Sequence, residues 1–174
     1  MLYGILAAFS ILGILADQLS KYFISQHYWA QYSHYIATHN NTFCEPIPVL
    51  DGVFHLTFAG NDGMAFSMLE GGRWFFLVLT VVALVFIGIA IRKKWIHHPV
   101  GLWSLALITS GAIGNLIDRI RLGFVVDMIE VEFMDFPVFN IADSLVVCGA
   151  ILLVVYTLFF DQPKKEKSHD TDPG

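Results

Sequence analysis

The sequence predicts an all-α polytopic membrane protein, with four transmembrane helices and a small extracytoplasmic β-sheet between the first and second of them. Three observations carry that reading. Hydrophobic residues make up 56% of the 174 and charged ones only 14%, whereas a soluble domain is about a quarter charged. The apolar residues gather into four runs of roughly 20, the length a helix needs to cross a hydrocarbon core of roughly 30 Å. The long polar stretch between the first two runs carries strand and turn signals in its second part. Residues 1–161 are therefore expected to form one membrane-embedded domain. Residues 162–174, charged and holding two prolines, read as a disordered cytoplasmic tail. No basic patch is interleaved with aromatics, which argues against nucleic acid as a partner.

The first helix is predicted at about 2–25, interrupted only by Asp17, Gln18 and Lys21. It lacks a basic start and no small-residue cleavage site follows, so it reads as a retained membrane helix. Asp17 and Lys21, four apart, share one face and can pair. The polar segment from Tyr28 to Cys44 shows no clear period and predicts no element. A small sheet is predicted at about 47–68, with Asp51-Gly52 and Asn61-Asp62-Gly63 as turns and Met64, Phe66, Met68 and Leu69 dipping toward lipid. The remaining helices are predicted at about 74–91, 100–118 and 139–160, with Trp74 as an interfacial aromatic. Alternation over Val125, Asp127, Ile129, Val131 and Phe133 predicts an extended strand with Asp127 facing inward. The two cysteines form neither a disulfide framework nor a metal pair. Cys148 reads as a small buried residue, and Cys44 as an incidental thiol in a polar loop.

Basic residues orient the chain. Arg92, Lys93 and Lys94 follow the second helix, and Lys164, Lys165 and Lys167 follow the fourth, which predicts cytoplasmic termini. Asp17, Asn61, Asp118, Asp127 and Asp143 then gather at the outer membrane boundary. Arg119 and Arg121 lie on the wrong side for this rule, with Asp118 and Asp127 close enough to neutralise them.

Polar groups at the ends of apolar helices are costly and mark function. Two carboxylates held close together share a proton, so one can activate water while the other protonates a leaving group. The candidates are Asp118, Asp127 and Asp143, with Asp17 a helix away. Each also has a plainer reading: Asp118 as an ion pair with Arg119 or Arg121, Asp17 as a partner of Lys21, Asn115 and Asn140 as interhelical hydrogen bonds, Gly111 and Gly114 as close-approach positions. The histidines lack zinc-protease spacing, and Ser144 lacks the nucleophile turn of a serine hydrolase.

Four boxes together resemble the lipoprotein signal peptidases, or signal peptidase II: Asp17-Gln18-Leu19-Ser20-Lys21; Asn61-Asp62-Gly63-Met64-Ala65-Phe66; Gly111 to Arg119 with Val125-Val126-Asp127; and Phe136 to Ser144. The resemblance runs from Leu15 to Tyr156. It implies an intramembrane aspartic endopeptidase of the bacterial inner membrane that removes signal peptides from diacylglyceryl-modified prolipoproteins, cleaving before the lipid-modified cysteine. Asp127 and Asp143 match the catalytic pair. Asp17, Lys21, Asn61, Gly63, Asn115, Asp118, Arg119, Asn140 and Ala142 match supporting or substrate-binding positions. The resemblance also implies no cofactor or metal, membrane phospholipid and globomycin-like cyclic peptide inhibitors as further partners, a monomer, and an active site near the periplasmic face. Two features depart from the family: the segment Tyr28–Glu45 is longer, and Asp62 and Met64 replace its usual residues. A proton-coupled transporter is the main rival reading, but it would want polar groups at the midplane. A catalytically dead binding protein would not need both aspartates.

Overall fold

The computed structural model describes residues 1–63 and 72–161. Eight elements follow one another: α1 (Leu2–His27), α2 (Trp29–Thr38), β1 (Ile47–Leu50), β2 (Phe54–Asn61), α3 (Arg73–Arg92), α4 (Pro99–Arg121), β3 (Val125–Val131) and α5 (Ile141–Phe159). Four of them, α1, α3, α4 and α5, are long and apolar enough to cross a membrane. Their outward faces expose Leu12, Val82, Phe86 and Val154, as helices in contact with lipid do.

The bundle is built around α4, which packs on α5, α1 and α3. Small residues allow the closest approaches. A Cβ placed at Gly111 would collide with the carbonyl oxygen of Ala142 and, at 2.7 Å, with Val146 on α5. The start of α1, the end of α5 and the basic loop lie at one end of the bundle. There Leu6 of α1 packs with Leu102 of α4, and the ring of His98 stacks on Phe160. The sheet sits at the other end.

The sheet is three-stranded and antiparallel in the order β1-β2-β3. The two predicted strands form, joined by a turn in which Val53 N donates to the Leu50 carbonyl at 3.0 Å and Gly52 takes φ 74°. The third strand is contributed by the α4–α5 connection, whose alternation marked it as extended. The central pairing sets Ala59 opposite Asp127 and Asn61 opposite Val125.

Helix α2 lies where no element was expected. Tyr28, Tyr32 and Tyr35 recur at helical spacing, and tyrosine is a weak helix former, so the period is carried by a residue type that hides it. These rings, with Phe58, Phe124, Val126 and Met128, form the core between the sheet and the end of α1. Cys44 is buried in this core and Cys148 is exposed on α5, the reverse of the sequence reading. The polar neighbours of Cys44 concealed the aromatic core that covers it, and the apolar run around Cys148 faces lipid rather than protein. Helix α4 runs on to Arg121, a turn beyond the predicted stop at Asp118, because the chain leaves the helix only at Gly123, at φ 92°. Met64, Phe66, Met68, Leu69 and the 162–174 tail lie outside the described residues.

Tyr35 is fully buried with its ring flat against Gly60, where an added Cβ would overlap the ring carbons. Gly60→Ala is expected to cost about 1–3 kcal/mol by overpacking and to release α2. Limited proteolysis within 29–45 checks this: cleavage should become faster than in wild type while the membrane helices stay intact.

Candidate active site

Asp17, Lys21, Asn61, Asn115, Asp118, Asp127, Asn140, Ala142 and Asp143 converge at the sheet end of the bundle. The deepest part is a charge cluster. Lys21 Nζ stands 2.9 Å from both Asp17 Oδ2 and Asp118 Oδ2, and donates to Asn115 Oδ1 at 2.9 Å. All three N–H donors of the ammonium are thereby used. The other carboxylate oxygen of Asp17 accepts from Ala142 N at 2.9 Å, which ties α1 to the first turn of α5. Asp118 Oδ2 also accepts from Val126 N at 3.3 Å, which ties α4 to β3. Gln18 was not singled out by sequence reasoning, although it sits inside the Asp17–Lys21 box. Its amide donates to Asp118 Oδ1 at 3.0 Å and to the Gly114 carbonyl at 3.1 Å. Gly114 leaves the space Asp17 needs, for a Cβ there would stand 2.6 Å from Asp17 Oδ2.

The expected ion pair of Asp118 with Arg119 or Arg121 does not form. Asp118 points inward to Lys21, because an ammonium already inside the bundle must be matched by buried charge. Arg119 turns the other way and packs its guanidinium over the Phe76 ring at 5.3 Å. Arg73, also not anticipated, donates to the carbonyls of Arg119 and Ile120 at 2.9 and 3.2 Å, and so caps the end of α4.

Asn140 joins this cluster to the other two carboxylates. It is the N-cap of α5, and with Asp143 three residues on it forms a reciprocal capping box. Asn140 Oδ1 accepts from Asp143 N at 2.8 Å, and Asp143 Oδ2 accepts from Asn140 N at 3.2 Å. The box leaves the Asn140 amide free to donate, at 2.6 Å, to Asp127 Oδ1. Asp127 Oδ2 accepts from Asn61 Nδ2 at 2.8 Å, a diagonal contact across the β2–β3 pair. Asn61 Oδ1 in turn accepts from Gly63 N at 2.9 Å and fixes the turn after β2, where Gly63 takes φ 106°. Asp143 Oδ1 accepts from Asn115 Nδ2 at 2.7 Å. Each of the two carboxylates is thus held by neutral amides, and Asn140 touches both.

The electrostatics separate Asp127 from an ordinary carboxylate. Burial, and then the charge of Asp143, push its pKa up to about 7, against the opposing pull of the Asn61 and Asn140 hydrogen bonds and of Lys21. A carboxyl raised this far can carry a proton near neutral pH, so it can donate as well as accept. Asp143 is half-buried and borders a cavity of about 320 Å³ that runs between α3, α4 and α5 past Thr80, Ala83, Ala112, Asn115 and Arg119. Helix α3 packs on α4 and stands off from α5, so this cavity opens sideways between two helices, toward the lipid.

Known proteins resemble the chain over most of its length. The family model described as Signal peptidase (SPase) II matches residues 9–159. A lipoprotein signal peptidase of Streptococcus pyogenes serotype M2 (strain MGAS10270) is 43% identical over 148 residues, covering 83% of this chain and 87% of that protein. Its counterpart in serotype M5 (strain Manfredo) is 42% identical over the same span. Two solved structures of a bacterial membrane enzyme, at 2.3 and 1.9 Å, superpose with TM-scores of 0.74 and 0.75. Both are 29% identical in sequence; the first covers 94% of each chain, the second 91% of this chain and 95% of that one.

Removing one member of a buried ion cluster leaves uncompensated charge and costs about 3–5 kcal/mol. Asp118→Asn should therefore lower thermal stability and activity together. A fully stable but inactive Asp118→Asn protein would instead give Asp118 a direct part in the chemistry.

Proposed function

The chain belongs to the signal peptidase II family and removes signal peptides from prolipoproteins; from that premise we propose that it works as an intramembrane aspartic endopeptidase whose acid–base pair is Asp127 and Asp143. The observation that carries this reading is the shared amide cage. Asn140 donates to both carboxylates, to Asp127 from its side-chain amide and to Asp143 from its backbone N–H, and the pKa of Asp127 is raised toward neutrality by burial and by the charge of its neighbour. Two carboxylates so placed divide the labour of peptide hydrolysis.

In this reading Asp143 is ionised and takes a proton from water as the oxygen attacks the scissile carbonyl. Asp127 is protonated and donates to the carbonyl oxygen as charge develops there. Collapse of the tetrahedral intermediate returns that proton to Asp127. The proton on Asp143 passes to the leaving amine, so both carboxyls end as they began.

The substrate is a prolipoprotein whose cysteine carries diacylglycerol, cut immediately before that cysteine. The signal peptide helix enters through the opening between α3 and α5, and its small-residue end lies along Ala83 and Ala112. The lipid on the cysteine stays in the bilayer and fixes the depth of the scissile bond. Asn61 and Arg119 hold the extended backbone on either side of the pair. Asp17, Lys21, Asp118 and Ala142 position the acids from behind the groove, and Asn115 positions Asp143 from its wall. Cyclic peptides of the globomycin type would occupy the same groove. The basic residues 92–94 favour cytoplasmic termini and an active site near the periplasmic face, with the enzyme acting as a monomer.

The test of the pair is cleavage of a lipidated prolipoprotein. Asp127→Asn and Asp143→Asn should each reduce turnover by roughly 10⁴-fold while leaving the protein folded in membranes. The double variant should be little worse than either single one, because groups that act as a unit are not additive. Near-normal turnover in either single variant would remove that residue from the pair. The Asp127 proton is bound below about pH 7 and released above it. Cleavage should therefore decline as pH rises through that value, approaching about tenfold per unit.

Orientation has its own test. His39 is exposed on the sheet side of the bundle. A cysteine introduced there in a Cys44→Ala, Cys148→Ala background should react with an impermeant maleimide in intact spheroplasts. Reaction only after the membrane is opened would invert the topology.

A further inference from the structure

The Tyr28–Glu45 segment has no part in the acid–base chemistry, yet its helix α2 builds one wall of a second cavity. This cavity, about 350 Å³, lies between α1, α2 and the end of α4, with Gln18, Trp29, Tyr32, Ile36 and Arg121 among the residues around it. It is separate from the groove beside Asp143. Arg119 borders that groove and Arg121 this cavity, and residues two apart on a helix point to roughly opposite sides.

The cavity has a polar and an apolar part. Trp29, Tyr32 and Ile36 recur at helical spacing and present one face of α2 toward it. Trp29 and Ile36 are 57% and 50% exposed, a large apolar exposure for a ten-residue helix. Across from them stands Arg121. Its one polar contact among the described residues is a long 3.5 Å approach to Gln18 Oε1. The nearby carboxylates are already satisfied: Asp118 by Lys21, Gln18 and Val126 N, and Asp17 by Lys21 and Ala142 N. Arg121 therefore presents an uncompensated guanidinium at a membrane boundary, at the opposite end of the bundle from the basic loop. Below it, Leu15, Leu19 and Tyr22 of α1 form a continuous exposed stripe, each at least half exposed.

We propose that this cavity is a site for one anionic glycerophospholipid, with its phosphate on the Arg121 guanidinium and its acyl chains along Leu15, Leu19 and Tyr22. A guanidinium matches a phosphate with paired hydrogen bonds. Trp29 and Tyr32, rings with an apolar body and a polar edge, suit the glycerol level between headgroup and chains. Tyr32 borders the cavity together with Arg121, and its hydroxyl gives the headgroup a second donor. Helix α2 is then a lipid-gripping element of the fold, and the headgroup fixes the depth of the last turn of α4, where Asp118 sits.

The full chain is purified in mild detergent, mixed with equal amounts of dioleoyl phosphatidylglycerol and dioleoyl phosphatidylcholine, and examined by native mass spectrometry. The wild-type protein should retain one phosphatidylglycerol in preference to phosphatidylcholine by about tenfold, the scale of one charge-assisted contact. R121Q should abolish the preference. W29A should weaken retention of phosphatidylglycerol, and R92Q, at the other end of the bundle, should leave the preference as it is. Equal retention of the two lipids by the wild-type protein would overturn the proposal, as would an unchanged preference in R121Q. Displacement of phosphatidylglycerol by millimolar inorganic phosphate would also overturn it, since the cavity would then recognise the anion and not the lipid.

Discussion

A single buried ammonium organises the molecule. Lys21 is almost fully enclosed, and its three donors go to Asp17, Asp118 and Asn115. Such a charge is tolerated in an apolar bundle only when it is fully matched, so its partners have little freedom. The partners tie two further elements to the cluster: Asp17 and Asn115 hold the first turn of α5, through Ala142 N and the Asp143 carboxylate, and Asp118 holds the start of β3. Gly114 follows from the same constraint, because any side chain there would occupy the place of the Asp17 carboxylate. The position of the two remaining acids is thus set by an ion cluster that does not include them.

Asp17, Asp118, Asp127 and Asp143 differ by surroundings, not by type. Asp17 and Asp118 each lie 2.9 Å from the ammonium of Lys21. Asp127 is equally buried but meets only the neutral amides of Asn61 and Asn140, so burial and the charge of Asp143 dominate and the proton is retained. Asparagine is the residue such a pair requires. It orients both oxygens without supplying the positive charge that would strip the proton away. The capping box adds economy, since the Asn140–Asp143 exchange that starts α5 also aims the spare amide at Asp127.

Much of this was legible in the sequence. The four spans followed from hydrophobic runs, and the convergence of Asp17, Asp118, Asp127 and Asp143 followed from their common place at span ends. The strand at Val125–Val131 showed in its alternation, though not its pairing with β2, which depends on a fold-back of the chain that no local pattern encodes. Three things were hidden. The partner of Asp118 was misread because sequence proximity favours Arg119 and Arg121, whereas burial favours Lys21, which lies 97 positions away. Helix α2 was concealed by its polar and aromatic residues, Gln31, Tyr32, Ser33, His34 and Tyr35 among them. The burial of Cys44 depends on rings from β2 and the α4–β3 turn, and so on tertiary contacts alone.

The central claim is that Asp127 and Asp143 hold one proton between them at neutral pH, and infrared titration of the resting protein in lipid tests it most directly. The carbonyl stretch of a protonated carboxyl is followed from about pH 4 to about pH 9, across and beyond the ordinary carboxylate range. The account predicts one buried carboxyl proton that persists above the other acids, is lost near pH 7, and vanishes in Asp127→Asn. Loss of every protonated-carboxyl signal by about pH 5, or a neutral-range signal that survives unchanged in Asp127→Asn, would contradict it.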